Sequence, residues 1–254
     1  MIKISNQQET ILNEKGDFPR IYSLIRFFRA EHVEDFRSGH IRLGSVRSYR
    51  ENYQDEPGKK NDDTEFLSDL HQPDKVTIEI NELQLKGICS PVKIRRNLDH
   101  CSYLLCMSAI TDRFLNEHNG VQRFSPDLLA LGQKAVFIIH VDEFIRRINE
   151  AVLKTDHFFS YPEADGRISG LVEYVDFNSY HGQIGPFRKS YEYAFQLEWR
   201  VALVYVWDDI GPYPDHIFLE VGDLSDIMST VDSSELFDGE IRVTVRENTN
   251  PKDL

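Results

Sequence analysis

Residues 187–205, FRKSYEYAFQLEWRVALVY, form the most informative segment of the chain. From Tyr193 onward they alternate with the period of two expected of a strand. Tyr193, Phe195, Leu197, Trp199 and Val201 fall on one face, and Ala194, Gln196, Glu198, Arg200 and Ala202 on the other. The second face sets an amide, a carboxylate and a guanidinium in line, about 7 Å between alternate residues. A carboxylate can offset developing positive charge, and a guanidinium can grip an anion with a fork of donors. A solvated strand face would carry the same residues with no chemistry at all. Just upstream, Arg188 and Lys189 read either as a solvated basic pair or as a cationic lip for a polyanion.

Other chemistries find no support. The sequence holds no glycine-rich phosphate loop, no His-Glu-x-x-His and no Gly-x-Ser-x-Gly, and its nine histidines are scattered singly. Cys89, Cys101 and Cys106 do not have zinc-ligand spacing, and Cys106 lies inside an apolar strand where a thiol is inert. No metal is expected. The odd, sparse cysteine set argues against a disulfide framework and for a reducing, cytoplasmic setting. The start of the chain shows neither a basic leader nor an apolar signal core, and no apolar run reaches the roughly 20 residues of a membrane helix. With 42 acidic against 29 basic residues the net charge is −13. Such a surface repels a phosphate backbone except across a local basic channel.

The elements that must position these groups read as one α+β domain, 1–254, of antiparallel or mixed sheet with short flanking helices. Residues 1–17 are polar and peripheral. Residues 21–27, IYSLIRF, form a strand that ends near Arg26. A short helix over 30–38 closes at Gly39, and a second short strand holds Ile41 and Leu43. Residues 49–65 carry Pro57, Gly58 and many charges, and read as a long exposed loop whose Asp55, Glu56, Asp62, Asp63 and Glu65 are solvated. A hairpin turns at Asn81-Glu82. Residues 102–108, SYLLCMS, make an apolar strand buried on both faces and ending in a hydroxyl, Ser108. The clearest helix starts at Asp142, its cap, with Phe144, Ile145, Ile148, Ala151 and Val152 on one side. Further strands are expected over 135–141, 171–177, 194–207, 217–221 and 240–245.

In chain order this gives a strand ending in Arg26, a strand ending in Ser108 and a strand carrying Gln196-Leu197-Glu198. That order resembles the Arg–Ser–Glu signature of the ADP-ribosyltransferases, whose third motif is commonly Gln-x-Glu or Glu-x-Glu. A second resemblance spans Ile21 to roughly Val206. An I-Y strand, a helix ending in S-G, a Y-R-E…D-E…D-x-E loop, a C-x-S strand and a terminal K-x-x-Y…E-W-R are similar to a large bacterial domain family of unknown function, which itself looks like a divergent relative of the ADP-ribosyltransferases. The strand at Tyr22 departs from the His–Tyr–Glu branch in lacking its histidine.

The resemblance implies a fold of split small sheets with a cleft between them, NAD as substrate, and transfer of ADP-ribose to a protein or nucleic acid. Cleavage of the nicotinamide–ribose bond passes through an oxocarbenium-like state, as glycoside cleavage does. On this reading Glu198 holds the ribose 2′-hydroxyl and offsets the developing charge, Arg26 forks the pyrophosphate, Ser108 braces the site and Gln196 orients the acceptor. Tyr22 or Tyr193 stacks on nicotinamide. Such domains imply a toxin–antitoxin or phage-defence effector with an antitoxin or regulatory protein as partner and no membrane. Two other readings stay open: NAD hydrolysis with water as acceptor, and a non-catalytic nucleotide- or protein-binding module on the same scaffold.

Overall fold

The computed structural model describes residues 19–51, 64–206, 212–237 and 241–242; the segment 1–17 lies outside them. Runs rich in β-branched and aromatic residues form the main strands. These are β1 (Ile21–Phe28), β2 (His40–Ser45), β3 (Ser102–Thr111), β4 (Lys134–Ile138), β5 (Phe158–Ser160), β6 (Ser169–Leu171), β7 (Glu198–Tyr205), β8 (His216–Glu220) and β9 (Met228–Asp232). They build a nine-stranded sheet in the order β5-β7-β3-β1-β4-β9, with β6 also on β7 and β2 linking β8 to β3. With a few short helices around it, the architecture is α+β and mostly antiparallel. No helix among the described residues is long and apolar enough to cross a membrane.

The hub is β3. One of its edges pairs with β7 over residues 102–108. Its other edge is shared: β1 pairs with residues 108–111, and β2 with Tyr103 and Leu104. The sheet therefore forks at β3 into a β1-β4-β9 arm and a β2-β8 arm. The junction between β1 and β2 needs Gly39, whose φ of +92° suits glycine and whose Cβ, if present, would lie 2.1 Å from the Gly222 carbonyl oxygen.

One face of the sheet is a continuous apolar core. Leu24, Phe28, Met107, Val136, Ile138, Trp199 and Leu203 pack there against Phe36 of helix α1 (Val33–Arg37). Phe144, Ile148 and Val152 of the long Val141–Leu153 helix seal the same face. Each such side chain stabilises the fold by about 1.5–3 kcal/mol on burial. The opposite face is different. Leu104, Ala202 and Val204 join one cluster with Phe66, Tyr161 and Phe187, while Ile25, Phe27, Ile110 and Ala135 join another with Phe124 and Leu128. A polar seam separates the two, and it contains the residues of interest.

Three expectations are corrected. The strand expected over 194–207 begins only at Glu198, because Tyr191–Gln196 is a 3-10 helix and Leu197 is left-handed at φ 48°. Tyr49 to Glu51 are not loop but the end of a helix, Val46–Glu51; residues 52–63 lie outside the described residues. Asp142 sits in the first turn of its helix rather than at the cap, which is His140. The hairpin is as expected, Ile78–Ile80 against Leu83–Leu85, with Asn81 and Glu82 both at positive φ as a tight primed turn requires.

Candidate functional site

Directly paired residues on neighbouring strands share a face, and successive residues alternate. Glu198 on β7 pairs with Ser108 on β3, and Ser108 pairs with Ile25 on β1. Arg200 pairs with Cys106. Glu198, Arg200, Cys106 and Ser108 thus form the polar seam between the two apolar clusters. Ser108 donates to the Gln196 carbonyl at 2.8 Å, which ties the end of the 3-10 helix to β3.

Above the seam lies a layer made by residues 64–68, the parallel pair Glu173–Val175 with Arg188–Ser190, and the Tyr191–Gln196 helix. It delivers two further charges. Glu65 receives the Arg200 guanidinium at 2.6 Å (Nη1 to Oε1) and 2.9 Å (Nη2 to Oε2). Glu198 receives the same guanidinium at 2.7 Å from Nε and 3.1 Å from Nη2. Arg200 Nη1 also donates to the Pro186 carbonyl at 2.8 Å. Lys189 Nζ stands 2.9 Å from Gln196 Oε1, 3.2 Å from Glu65 Oε2 and 3.4 Å from Glu198 Oε2, and 4.7 Å from the centre of the Tyr193 ring. Tyr174 Oη accepts the Glu198 amide hydrogen at 2.9 Å.

Among the described residues the result is a buried network of two carboxylates and two cations. Arg200 is 0% and Glu198 5% exposed. Both carboxylates follow or precede a bulky residue held in the left-handed region: Phe66 at φ 59° and Leu197 at φ 48°. Each costs roughly 1–2 kcal/mol for a side chain with a Cβ, so the surrounding packing dictates this arrangement rather than local preference.

Burial alone would raise the Glu65 and Glu198 carboxyls. Arg200 and Lys189 outweigh it and hold both below the ordinary value of 4.5. Burial drives the Cys106 thiol well above its usual range, with the Glu198 charge adding to the effect, so Cys106 is not a nucleophile. A depressed carboxyl contributes stability that is complete above its unfolded pKa and lost as pH falls through the folded one. The urea midpoint is therefore expected to drop as pH falls from the ordinary carboxylate value of 4.5 toward about 2. It should drop less steeply in Glu198→Gln. Parallel pH curves for the two chains would contradict the network's role.

The residues expected from the sequence divide. Gln196, Glu198, Ser108 and Tyr193 come together; Glu198, Ser108 and Tyr193 are buried and Gln196 is half-buried. Tyr193 is buried beneath the Lys189 ammonium. Arg26 does not join them. It neighbours Ile25 on β1 and so faces the other side of the sheet, with Leu24 and Phe28. Its guanidinium lies 3.4 Å from the Arg42 carbonyl of β2 and over the Phe28 ring at 5.1 Å, so it spans the fork between the two arms. Tyr22 packs beside the Ile25 cluster with Arg20 over its ring. The convergence of Arg26 with Ser108 is thus overturned by strand parity.

Glu65, Lys189 and Tyr174 complete the site, and sequence reasoning did not place them there. One signal was available for Glu65: it opens the run Glu65-Phe66-Leu67, where an apolar pair pulls a carboxylate inward. No protein-family model, curated protein or solved structure matches the chain.

Proposed function

We propose that the chain transfers ADP-ribose from NAD to a macromolecular acceptor, on an ADP-ribosyltransferase-like scaffold with Glu198 as its carboxylate. The observation that carries the reading is the adjacency of the three motif strands. β7, β3 and β1 bear Glu198, Ser108 and Arg26 and are consecutive neighbours in one sheet, with Gln196 at the end of the 3-10 helix just before β7 and Ser108 directly opposite Glu198. The serine and glutamate, far apart in sequence, meet on one transverse row, the placement that a shared task would need, whereas Arg26 lies on the opposite face. In this reading Glu198 holds the ribose hydroxyl and offsets the oxocarbenium charge. Arg200 and Glu65 fix the carboxylate's orientation, and Ser108 fixes the Gln196 backbone. Arg26 takes no part in it.

A second reading rests on its own observation. Both oxygens of the buried Glu198 are engaged by Arg200 and Lys189, which suits a non-catalytic nucleotide- or protein-binding module. Incubation with NAD labelled in its adenylate and with total cell extract separates the readings. Label retained on protein or nucleic acid supports the transferase, and free labelled ADP-ribose indicates hydrolysis. Unchanged NAD sinks both and leaves the binding module.

A further inference from the structure

Lys189 places an ammonium between an aromatic ring and a carboxylate. Its Nζ lies 4.7 Å from the Tyr193 ring centre and 3.4 Å from Glu198 Oε2. Nicotinamide–ribose in NAD is itself a cation, a pyridinium that becomes an oxocarbenium as its bond breaks. A site for it needs the same two flanks: a π-face for the ring and a carboxylate for the ribose. We propose that Lys189 is an internal stand-in for the nicotinamide ribosyl cation, and that the Lys189–Gln196 strap is an autoinhibitory latch displaced when NAD binds. The inference rests on the reading of Glu198 as the carboxylate that meets NAD.

The strength of the contacts ranks the partners. Arg200 holds both carboxylates through short, forked bonds of 2.6–3.1 Å, a geometry that fixes them in place. Lys189 stands at 3.2 and 3.4 Å from the same carboxylates, and it donates to the neutral Gln196 amide at 2.9 Å. Arg200 is thus the frame and Lys189 the occupant that can leave. Withdrawal of the ammonium leaves a net negative charge on Glu65, Glu198 and Arg200 together, which an incoming cation offsets without protonating a carboxylate.

The strap is suited to movement. Its Tyr191–Gln196 part is a 3-10 helix outside the main sheet that joins β7 through Leu197 at φ 48°, and Lys189 itself lies on the short Arg188–Ser190 strand, paired only with Glu173–Val175. Opening relieves that left-handed backbone, so closure is held against local strain by the charges and by Ser108. Tyr191, at the start of the strap, is 69% exposed.

Lys189→Met keeps the length of the side chain and removes the cation. NAD binding to the full chain is measured by titration calorimetry, and nicotinamide release is followed in the same samples. If the open form makes up about a tenth of the population or less, the apparent Kd for NAD is expected to fall at least about tenfold in the variant. An unchanged or weaker Kd in a variant that unfolds cooperatively overturns the latch, as does NAD binding to neither chain. If Lys189→Met fails to fold, Gln196→Leu decides. It removes the Gln196 bond to Lys189 while leaving every charge in place; tighter NAD binding supports the latch and an equal Kd overturns it. The two claims fail separately. Tighter binding without nicotinamide release keeps the latch and sinks the transferase. Equal Kd and equal release in wild type and variant keep the transferase and sink the latch.

Discussion

Replacement of Arg200 by methionine is expected to lower stability by about 3–5 kcal/mol, the cost of leaving buried charges uncompensated. The guanidinium is fully buried and supplies the donors that pair Glu65 with Glu198. Without it, two carboxylates share an interior with one ammonium, and burial then favours the protonated form of one of them. The sign of the pH dependence should change accordingly. A carboxyl whose folded pKa is raised contributes stability at low pH that is lost as pH rises through the unfolded value and beyond. Arg200→Met is thus expected to gain stability between neutral pH and about pH 5, a range over which the wild-type network keeps its contribution. Adding Glu65→Gln to Arg200→Met should restore part of the loss, because one stranded charge is then gone. Urea denaturation of the three chains at neutral pH and at about pH 5 checks this, since stability change follows the denaturation midpoint at constant slope. A midpoint for Arg200→Met within error of wild type would mean that the network contributes nothing to holding the upper layer down.

Much of the scaffold was legible because hydrophobic pattern and strand length agree. SYLLCMS reads as a strand buried on both faces, and β3 is the doubly covered hub of the sheet. The helical face through Phe144 and Ile148 was equally plain, and both are buried. The expected alternation from Tyr193 failed for a local reason. Residues 193–196 can alternate in polarity by accident, but their backbone is a 3-10 turn that ends in a left-handed Leu197. Only tertiary packing can impose φ 48° on a leucine, and that does not show in a sequence. Strand alternation also says which residues share a face, not whether the face is wet. Here a second layer covers it.

The candidate site was half legible. Ser108 and Glu198 lie opposite each other on β3 and β7, but Arg26 misses them by a single residue of register, which reverses the face of a strand side chain. Glu65 was hidden because it ends a charged stretch, where composition suggests solvent, although Phe66 and Leu67 after it are core residues. Lys189 was hidden because a lysine is seldom fully buried. It is buried here only because acids from two distant segments, Glu65 and Glu198, meet it.

Replacement of Glu198 by glutamine is expected to lower kcat for NAD cleavage by about 10²–10³, the scale of losing one electrostatic stabiliser of a transition state. Glutamine keeps the shape and can still accept from Arg200, so ground-state contacts survive while the charge that meets the oxocarbenium is gone. Because Glu198 is buried in the ion network, the variant also loses stability, and rates must be compared per folded molecule. The most direct measurement is nicotinamide release at saturating NAD and acceptor extract, in wild type and Glu198→Gln. It should be repeated with Lys189→Met added to each, so that a closed strap does not mask the difference. The account predicts release by the chains that retain Glu198 and a loss of at least about 10² on its replacement. Equal release with and without the carboxylate, or no release by any of the four folded chains, would contradict it.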